Sequence, residues 1–290
     1  MTQPSISIIG AGKVGSTLAR LLFSKGYKVE NIYSRDASHA KNLAQQVQAK
    51  VANQLADVTI ADLTILSVSD DAITSVASQL SDAHWEDKGI IHTSGAYSIG
   101  ALHPLAHSGA MLGSLHPAFP FADVESAVNS LIGATFAIEA SHPTLHHWLL
   151  DLIQALEGHV IVIPENQKAR YHLALAIASN YTVTLYSIAQ TLLQSLTEND
   201  LAISNALNTL LNATVDNIKQ QGIPDALTGP LVRADTQTIQ SHLDAINDEQ
   251  LHQLYLALAQ ATLPLVTQRG VDTHTLESLL QDNHETLDNS

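Results

Sequence analysis

Short apolar runs alternate with stretches of helical periodicity along the first part of the chain. Ile6, Ile8 and Ile9 form a β-branched run that predicts a buried strand, and the apolar positions after it recur at helical spacing, at Val14, Leu18, Leu21 and Leu22. Further strands are predicted at residues 50–52, 63–68, 89–92, 135–140 and 159–163. Strands that alternate with helices predict a doubly wound α/β sheet, and we assign residues 1–164 to this first domain.

The pattern changes after residue 164, where long helices follow one another without predicted strands. Residues 166–196 are apolar on almost every side and are predicted to form one long helix, buried at the centre of an all-helical domain that spans residues 165–290. Lys168 and His172 share a face near the start of this helix, and Asn180 lies about 80° around it from His172. Polar groups on a buried helix need partners, so they either bind a ligand or bond to neighbouring carbonyl groups.

The first strand leads directly into glycines at the spacing G-x-G-x-x-G. Such a turn at a helix N-terminus presents free backbone N–H groups and the positive end of the helix dipole, and its glycines let a pyrophosphate approach closely. The alternative is a tight strand-to-helix turn without a ligand. A predicted strand, the glycine turn and a predicted helix follow one another directly, as in a dinucleotide-binding unit. We therefore predict a dinucleotide site formed by Gly10, Ala11, Gly12, Lys13, Val14 and Gly15.

The end of the second predicted strand indicates which dinucleotide binds. Sites that prefer NAD carry an acidic residue there for the ribose hydroxyls, whereas this chain reads Ser34-Arg35-Asp36. A hydroxyl followed by a guanidinium suits the 2′-phosphate of NADP. A shift of one residue would instead put Asp36 on the ribose and leave Arg35 as a solvated charge. We predict NADP, bound through Ser34 and Arg35.

Three further loops carry polar residues at the ends of predicted strands, where ligands of such sheets bind. The first loop follows the strand predicted at residues 63–68 and is expected to contact the cofactor, although Asp70 could instead cap the following helix. Ser94 in HTSGA and His116 in SLHP face the expected nicotinamide end, and His116 is either a proton donor or a structural histidine. The first of these loops contributes Ser67, Val68, Ser69 and Asp70.

Charge and composition narrow the possible partners. The 290 residues carry a formal net charge of −15, yet residues 1–50 hold seven basic and two acidic residues. A positive segment in an acidic protein suits a nucleotide site and disfavours nucleic acid or an anionic membrane as partner. Without cysteine there is no disulfide or thiolate chemistry, and the histidines lack the accompanying ligands of a metal site, so we expect no metal. We expect a soluble cytoplasmic protein, since no signal peptide or membrane span is evident.

Five motifs, in order, resemble bacterial proteins that combine a Rossmann-like domain with a C-terminal DUF2520 domain: GAGKVG, HTSGA, SLHP, YHLALAIASNY at residues 171–181 and TGPLVRAD at residues 228–235. This group is similar to pyrroline-5-carboxylate reductases, ketopantoate reductases and β-hydroxyacid dehydrogenases. The resemblance implies a helical domain like that of 6-phosphogluconate dehydrogenase and a homodimer formed through it. In the better-known relatives a catalytic Lys is followed four residues later by Asn, whereas here Lys168 is followed by His172.

Together these observations predict an NADP(H)-dependent oxidoreductase that transfers a hydride to or from a small carbonyl, imine or hydroxy acid. The candidate catalytic residues are Ser94, His116, Lys168, His172 and Asn180. Thr228, Arg233 and Asp235 are candidates for substrate binding, although Arg233 and Asp235 could simply contact each other. The alternative is a non-catalytic NADP-sensing dimer whose helical domain serves only association.

Overall fold

The computed structural model describes residues 3–164 and 166–288, with the side chains described as far as residue 283. The chain divides between Thr184 and Leu185 into two compact units. This division falls after the boundary predicted at residue 164, because the helix that begins at Lys168 packs its first turn against the sheet through a bond to Ser94. The predicted start of the helical region at Glu165 lies outside the described residues.

The first unit is built on an eight-stranded sheet in the order β3-β2-β1-β4-β5-β6-β7-β8. Neighbouring strands are parallel except β6 and β7, which run antiparallel. The predicted doubly wound α/β class is therefore confirmed. The strands are β1 (Ile6–Ile9), β2 (Val29–Tyr33), β3 (Lys50–Val51), β4 (Leu63–Leu66), β5 (Gly89–His92), β6 (Met111–Pro117), β7 (Thr135–Ala140) and β8 (His159–Val162).

Helices cover both faces of this sheet because successive strand residues point to opposite sides. Ile8 packs in one core cluster with Leu18 and Leu149, and Ile9 packs in the other with Ile73 and Trp85. The helices of the first unit are α1 (Lys13–Ser24), α2 (Ala37–Gln46), α3 (Ile73–Gln79), α4 (Val124–Ser130), α5 (Pro143–Ala155) and α6 (Lys168–Ala178).

The prediction of one buried helix over residues 166–196 is wrong. The helix is interrupted at Ser179, and α7 (Asn180–Gln194) follows α6 as a separate helix. Lys168 is buried, whereas Leu173 and Ile177 are more than half exposed. An apolar sequence is buried only where another surface covers it, and within the single chain only the first turn of α6 is deeply covered.

The second unit contains helices, and no strand occurs in the part of it that the structure describes. It includes the end of α7 together with α8 (Asp200–Gln221), α9 (Thr236–Asp244), α10 (Glu249–Gln268) and α11 (His274–Asp288). Its small core joins α9, α10 and α11 through residues such as Ile239, Val266 and Leu276. Helix α8 contributes little to that core and exposes Leu201 and Leu210. None of the helices in the described ranges is both long and apolar enough to cross a membrane.

Candidate cofactor and substrate site

The three glycines of the turn between β1 and α1 have different structural roles. A Cβ on Gly10, which has a φ of +108°, would lie 2.1 Å from the Ser67 carbonyl oxygen, and one on Gly15 would lie 2.0 Å from the Gly10 carbonyl oxygen. A Cβ on Gly12 would meet nothing within 4 Å. The fold itself therefore requires glycine at the first and third positions, whereas the open space above Gly12 is available to a ligand.

The turn faces an anion-binding helix end. Gly12 is the N-cap residue of α1, and no side chain within the described ranges caps this end. Its free N–H groups and the helix dipole favour a negative group. A cavity of about 510 Å³ opens here, lined by the glycine turn, by the β4 loop at Ser67 to Ser69, and by Ser34 and Arg35. These residues fit the pyrophosphate and adenosine parts of a dinucleotide.

The residues after β2 distinguish the two ways of binding the ribose. The Asp36 carboxylate caps α2, accepting hydrogen bonds from the amides of Ser38 at 2.8 Å and His39 at 3.2 Å. Hydrogen bonds from the Ser38 hydroxyl and these amides lower the Asp36 pKa. Arg35 is exposed and lines the cavity. Asp36 lines the same cavity and its Oδ1 is already used in the cap, and the assignment of Arg35 to the adenosine ribose stays a prediction.

Two further cavities continue from the glycine turn and lie within the first unit. A cavity of about 420 Å³ shares Gly12 and Ser67 with the first and reaches Ser94, His116 and His172. A third, of about 550 Å³, shares His116 and His172 with the second and extends along the break between α6 and α7, where it is lined by Ser179 and Asn180. A continuous cleft thus connects the dinucleotide turn to the two histidines.

His116 is held at the centre of this cleft by Tyr171. Its Nδ1 lies 2.9 Å from the Tyr171 hydroxyl. Burial lowers the pKa of His116 to about 4 and raises the pKa of Tyr171 to about 12, so near neutral pH the imidazole is neutral and the phenol is protonated. The Tyr171 hydroxyl can donate to Nδ1 or accept from it, and donation to Nδ1 is the arrangement that places the ring proton on Nε2.

That Nε2 atom lies against the HTSGA loop beside His172. A Cβ on Gly95 would come within 2.7 Å of His116 Nε2 and 2.8 Å of His172 Cδ2, so only glycine lets both rings approach the loop. The two imidazole centroids are 6.4 Å apart, and His172 is exposed. Sequence analysis missed Tyr171, although its position three residues after Lys168 puts it on the sheet side of α6.

Lys168 has a different environment from His172. Its ammonium group donates to the Ser94 carbonyl oxygen at 3.1 Å and lies 3.9 Å from Glu139 Oε2, and the side chain is 2% exposed. Glu139 also accepts a hydrogen bond from the Ser114 hydroxyl at 2.8 Å. Burial lowers the pKa of Lys168, and the Glu139 carboxylate opposes this shift. Lys168 is absent from the linings of the second and third cavities, so its contacts suit anchoring of the HTSGA loop.

The HTSGA loop is further fixed by its own polar groups. The Ser94 hydroxyl accepts hydrogen bonds from the amides of Ala96 at 3.2 Å and Tyr97 at 3.1 Å. His92 Nδ1 accepts from the Ser94 amide at 3.2 Å, so its Nε2 carries the proton and donates to the Ser98 carbonyl at 3.0 Å. Burial lowers the His92 pKa to about 4. Ser94 therefore lines the cleft as part of a rigid loop.

The candidates of the TGPLVRAD segment lie in the second unit. Asp235 is the N-cap residue of α9 and accepts from the Thr238 amide at 3.0 Å and the Thr238 hydroxyl at 2.7 Å. Before it, Leu231–Arg233 forms a single 3₁₀ turn, and Arg233 is exposed. The assignment of Thr228, Arg233 and Asp235 to substrate binding stays a prediction. Across the residues that the structure describes, no cluster of His, Asp or Glu side chains could hold a metal ion.

The sheet order, the glycine turn and the open helix end together define a Rossmann-like dinucleotide-binding protein. The Rossmann-like domain family matches residues 1–117, and the domain of unknown function DUF2520 matches residues 134–262. The resemblance to proteins that combine these two domains is therefore confirmed. No curated protein matches the chain.

Solved structures from several organisms are similar to the chain. A proposed NADP oxidoreductase from Bacteroides fragilis is 26% identical, with a TM-score of 0.73 over 89% of this chain and 97% of that one. A protein from Thermotoga maritima is 25% identical, with a TM-score of 0.71 over 92% and 100%. A pyrroline-5-carboxylate reductase from Coxiella burnetii is 12% identical, with a TM-score of 0.62 over 98% of both chains, and shows the shared fold.

Proposed function

We propose that the protein is an NADPH-dependent oxidoreductase that transfers a hydride to the carbon of a small carbonyl or imine group. The observation that carries this proposal is the continuous cleft from the open N-terminus of α1 to the imidazole ring of His116. The similarity to the proposed NADP oxidoreductase from Bacteroides fragilis supports the same class. Oxidation of the corresponding hydroxy compound or amine is the reverse of this reaction.

NADPH is favoured over NADH by the charges at the end of β2. Arg35 is exposed at the first cavity, and Ser34 stands beside it. A guanidinium binds a phosphate through charge-assisted hydrogen bonds, whereas Oδ1 of the adjacent Asp36 carboxylate is engaged in capping α2. When bound, the cofactor supplies the hydride, and the protein supplies binding, orientation and a hydrogen-bond donor.

His116 is the residue best suited to assist the transfer. With the Tyr171 hydroxyl donating to Nδ1, the neutral imidazole would present its Nε2–H in the cleft and donate a hydrogen bond to the oxygen or nitrogen of the substrate as negative charge develops there. In this proposal Tyr171 orients the ring and selects the tautomer. His172 and Asn180 line the cleft on the α6–α7 side and would contact the substrate. Ser94 and Lys168 would act indirectly, since both are bonded within the loop that supports the His116 ring.

A second copy of the chain is the proposed partner, bound through the helical region. Helices α7 and α8 expose many large apolar side chains, including Leu192, Leu201, Leu210 and Ile218. Extended exposed apolar surfaces of this kind are typical of protein–protein interfaces. A homodimer would cover them, and its formation would explain why so apolar a sequence lies on the surface of one chain.

The proposal is tested by following NADPH absorbance with a panel of ketones, aldehydes and cyclic imines. His116→Gln should lower kcat by about 10²–10⁴ and leave NADPH affinity unchanged, because the ring lies outside the dinucleotide turn. His107→Gln, at an exposed histidine away from the cleft, is the matched control and should retain full activity. Tyr171→Phe should lower kcat less than His116→Gln, because it removes only the group that orients the ring.

The non-catalytic alternative predicts a different outcome from the same experiments. A sensor would bind NADPH through the glycine turn and show no turnover with any member of the panel. In that case His116→Gln would change neither activity nor cofactor binding, and the role of the cleft would be limited to recognition.

A further inference from the structure

The cavity along the break between α6 and α7 differs in character from the rest of the cleft. Nine of its thirteen lining residues are apolar, and none of the thirteen is an Asp, Glu, Lys or Arg. The first cavity, by contrast, is lined by Arg35 and Asp36, and the second by Lys13 and Asp70. The cleft is therefore lined by charged residues on the dinucleotide side of the two histidines and mainly by apolar residues beyond them.

An aromatic pair forms one wall of this apolar cavity. The rings of Phe119 and Phe121 meet edge to face, with centroids 5.3 Å apart and an interplanar angle of 70°. Both rings also pack against the core of the sheet, which fixes their positions. Leu175 and Val183 form the opposite wall. Such a pair of aromatic rings provides an apolar surface against which an aryl or alkyl group can pack.

The polar groups of the cavity are few, and none belongs to an Asp, Glu, Lys or Arg side chain. Asn180 and Ser179 offer an amide and a hydroxyl, and the imidazoles of His116 and His172 stand where this cavity meets the second one. The nearby ammonium group of Lys168 is 2% exposed and bonded to Ser94. A carboxylate in the cavity would lose water without gaining a Lys or Arg partner, which is unfavourable.

From this arrangement we infer the class of substrate, an inference that rests on the proposed function. The substrate is a neutral ketone, aldehyde or imine with an apolar alkyl or aryl substituent, and the substituent lies between Phe119, Phe121 and Val183. The reacting carbon lies beside His116, with the carbonyl oxygen or imine nitrogen toward Nε2. The carbon gains the hydride of NADPH, the heteroatom gains a proton supplied by solvent, and NADP⁺ is released.

Matched pairs of ketones test this inference. 4-Methylacetophenone and 4-acetylbenzoate differ only by a methyl or carboxylate group at the end far from the carbonyl. We expect kcat/KM to favour 4-methylacetophenone by at least about tenfold, because the carboxylate would be desolvated. Relative to acetone, burial of the ring should raise kcat/KM by about tenfold to a hundredfold. 2-Hexanone and levulinate form an aliphatic pair with the same expected order.

A charge introduced into the cavity should reverse the preference. Val183 is 69% exposed, so Val183→Lys adds an ammonium group at the cavity edge with little disturbance of packing. We expect this variant to raise the kcat/KM ratio of 4-acetylbenzoate to 4-methylacetophenone by at least about tenfold. Val162→Lys makes the same change at a valine that is 64% exposed on β8, outside the cleft, and should leave the ratio unchanged.

Ligand-observed NMR on the NADP⁺ complex separates failure of the inference from failure of the proposed function. Equal or better reduction of the carboxylate-bearing ketones by the wild-type protein would overturn the substrate class and leave the reductase function intact. Selective binding of 4-methylacetophenone without any reduction would overturn the reductase function, while the assignment of the apolar cavity stands. Equal effects of Val183→Lys and Val162→Lys would show that the cavity does not hold the substituent.

Discussion

Substitution of Gly12 gives the sharpest test of the dinucleotide site, because the structure separates binding from folding at this position. Gly12 has a φ of −78° and a ψ of −171°, which any residue adopts, and a Cβ there would meet nothing within 4 Å. Gly12→Ala should therefore reduce the free energy of unfolding by no more than about 1 kcal/mol, the usual effect of alanine at an N-cap.

The same methyl group would occupy the space that a pyrophosphate needs to reach the N–H groups at the start of α1. Loss of one hydrogen bond to a charged group costs about 1.5–3 kcal/mol, which corresponds to a Kd for NADPH raised by roughly 10- to 150-fold. Gly12→Asp adds a negative charge at the same point and should weaken binding further. Isothermal titration calorimetry measures the affinity, and urea denaturation measures the stability of the same samples.

Gly10→Ala is the matched control, because it should mainly reduce stability, whereas Gly12→Ala should mainly reduce cofactor affinity. Its Cβ would lie 2.1 Å from the Ser67 carbonyl oxygen at a φ of +108°, so the variant should lose stability before any effect on the ligand is considered. Wild-type NADPH affinity in Gly12→Asp would refute the assignment of this turn to the cofactor.

Three further predictions concern cofactor choice, pH and association. Arg35→Ala should weaken NADPH binding by about 1.5–3 kcal/mol and leave NADH binding nearly unchanged, whereas equal losses in titrations with both would show that Arg35 does not contact the 2′-phosphate. Burial lowers the pKa of His92 from 6.5 to about 4, so the unfolded chain binds a proton that the native state excludes. The contribution of His92 to the free energy of unfolding should thus be fully present above pH 6.5 and fall by up to about 3 kcal/mol as the pH drops to about 4. If urea unfolding of His92→Asn showed the same pH dependence as the wild-type protein, this prediction would be contradicted. Leu201→Glu combined with Leu210→Glu should convert a dimer to a monomer in sedimentation velocity, and an unchanged sedimentation coefficient would place the interface elsewhere.

Local sequence patterns were sufficient for the parts of the fold that depend on neighbouring residues. The β1 run, the glycine spacing and the period of α1 specify a strand, a turn and a helix within twenty residues, and β5 and β7 have the predicted bounds. His116 and Ser94 line the cleft with His172 because the loops after parallel strands meet at one sheet edge. Their chemical roles stay predictions.

Features that depend on residues distant in sequence were not predictable in the same way. Glu139 has no local signal, since it gains its role only when β7 pairs with β6 and brings it to Ser114. The break at Ser179 is likewise hidden in an apolar sequence with strong helical character. Tyr171 could be placed on a helix face from its position, but its bond to His116 depends on the packing of α6 against the sheet.

The buried group formed by Lys168, Glu139 and the Ser94 carbonyl has a consequence for how the sequence can vary during evolution. Loss of either charge alone would leave the other buried without an oppositely charged partner, which typically costs about 3–5 kcal/mol, more than most single substitutions cost. Replacement of both charges by apolar residues of similar size would avoid that penalty. Among homologous chains, positions 139 and 168 should therefore covary, either both charged or both neutral, even though twenty-eight residues, with α5 and β8 among them, separate the two positions.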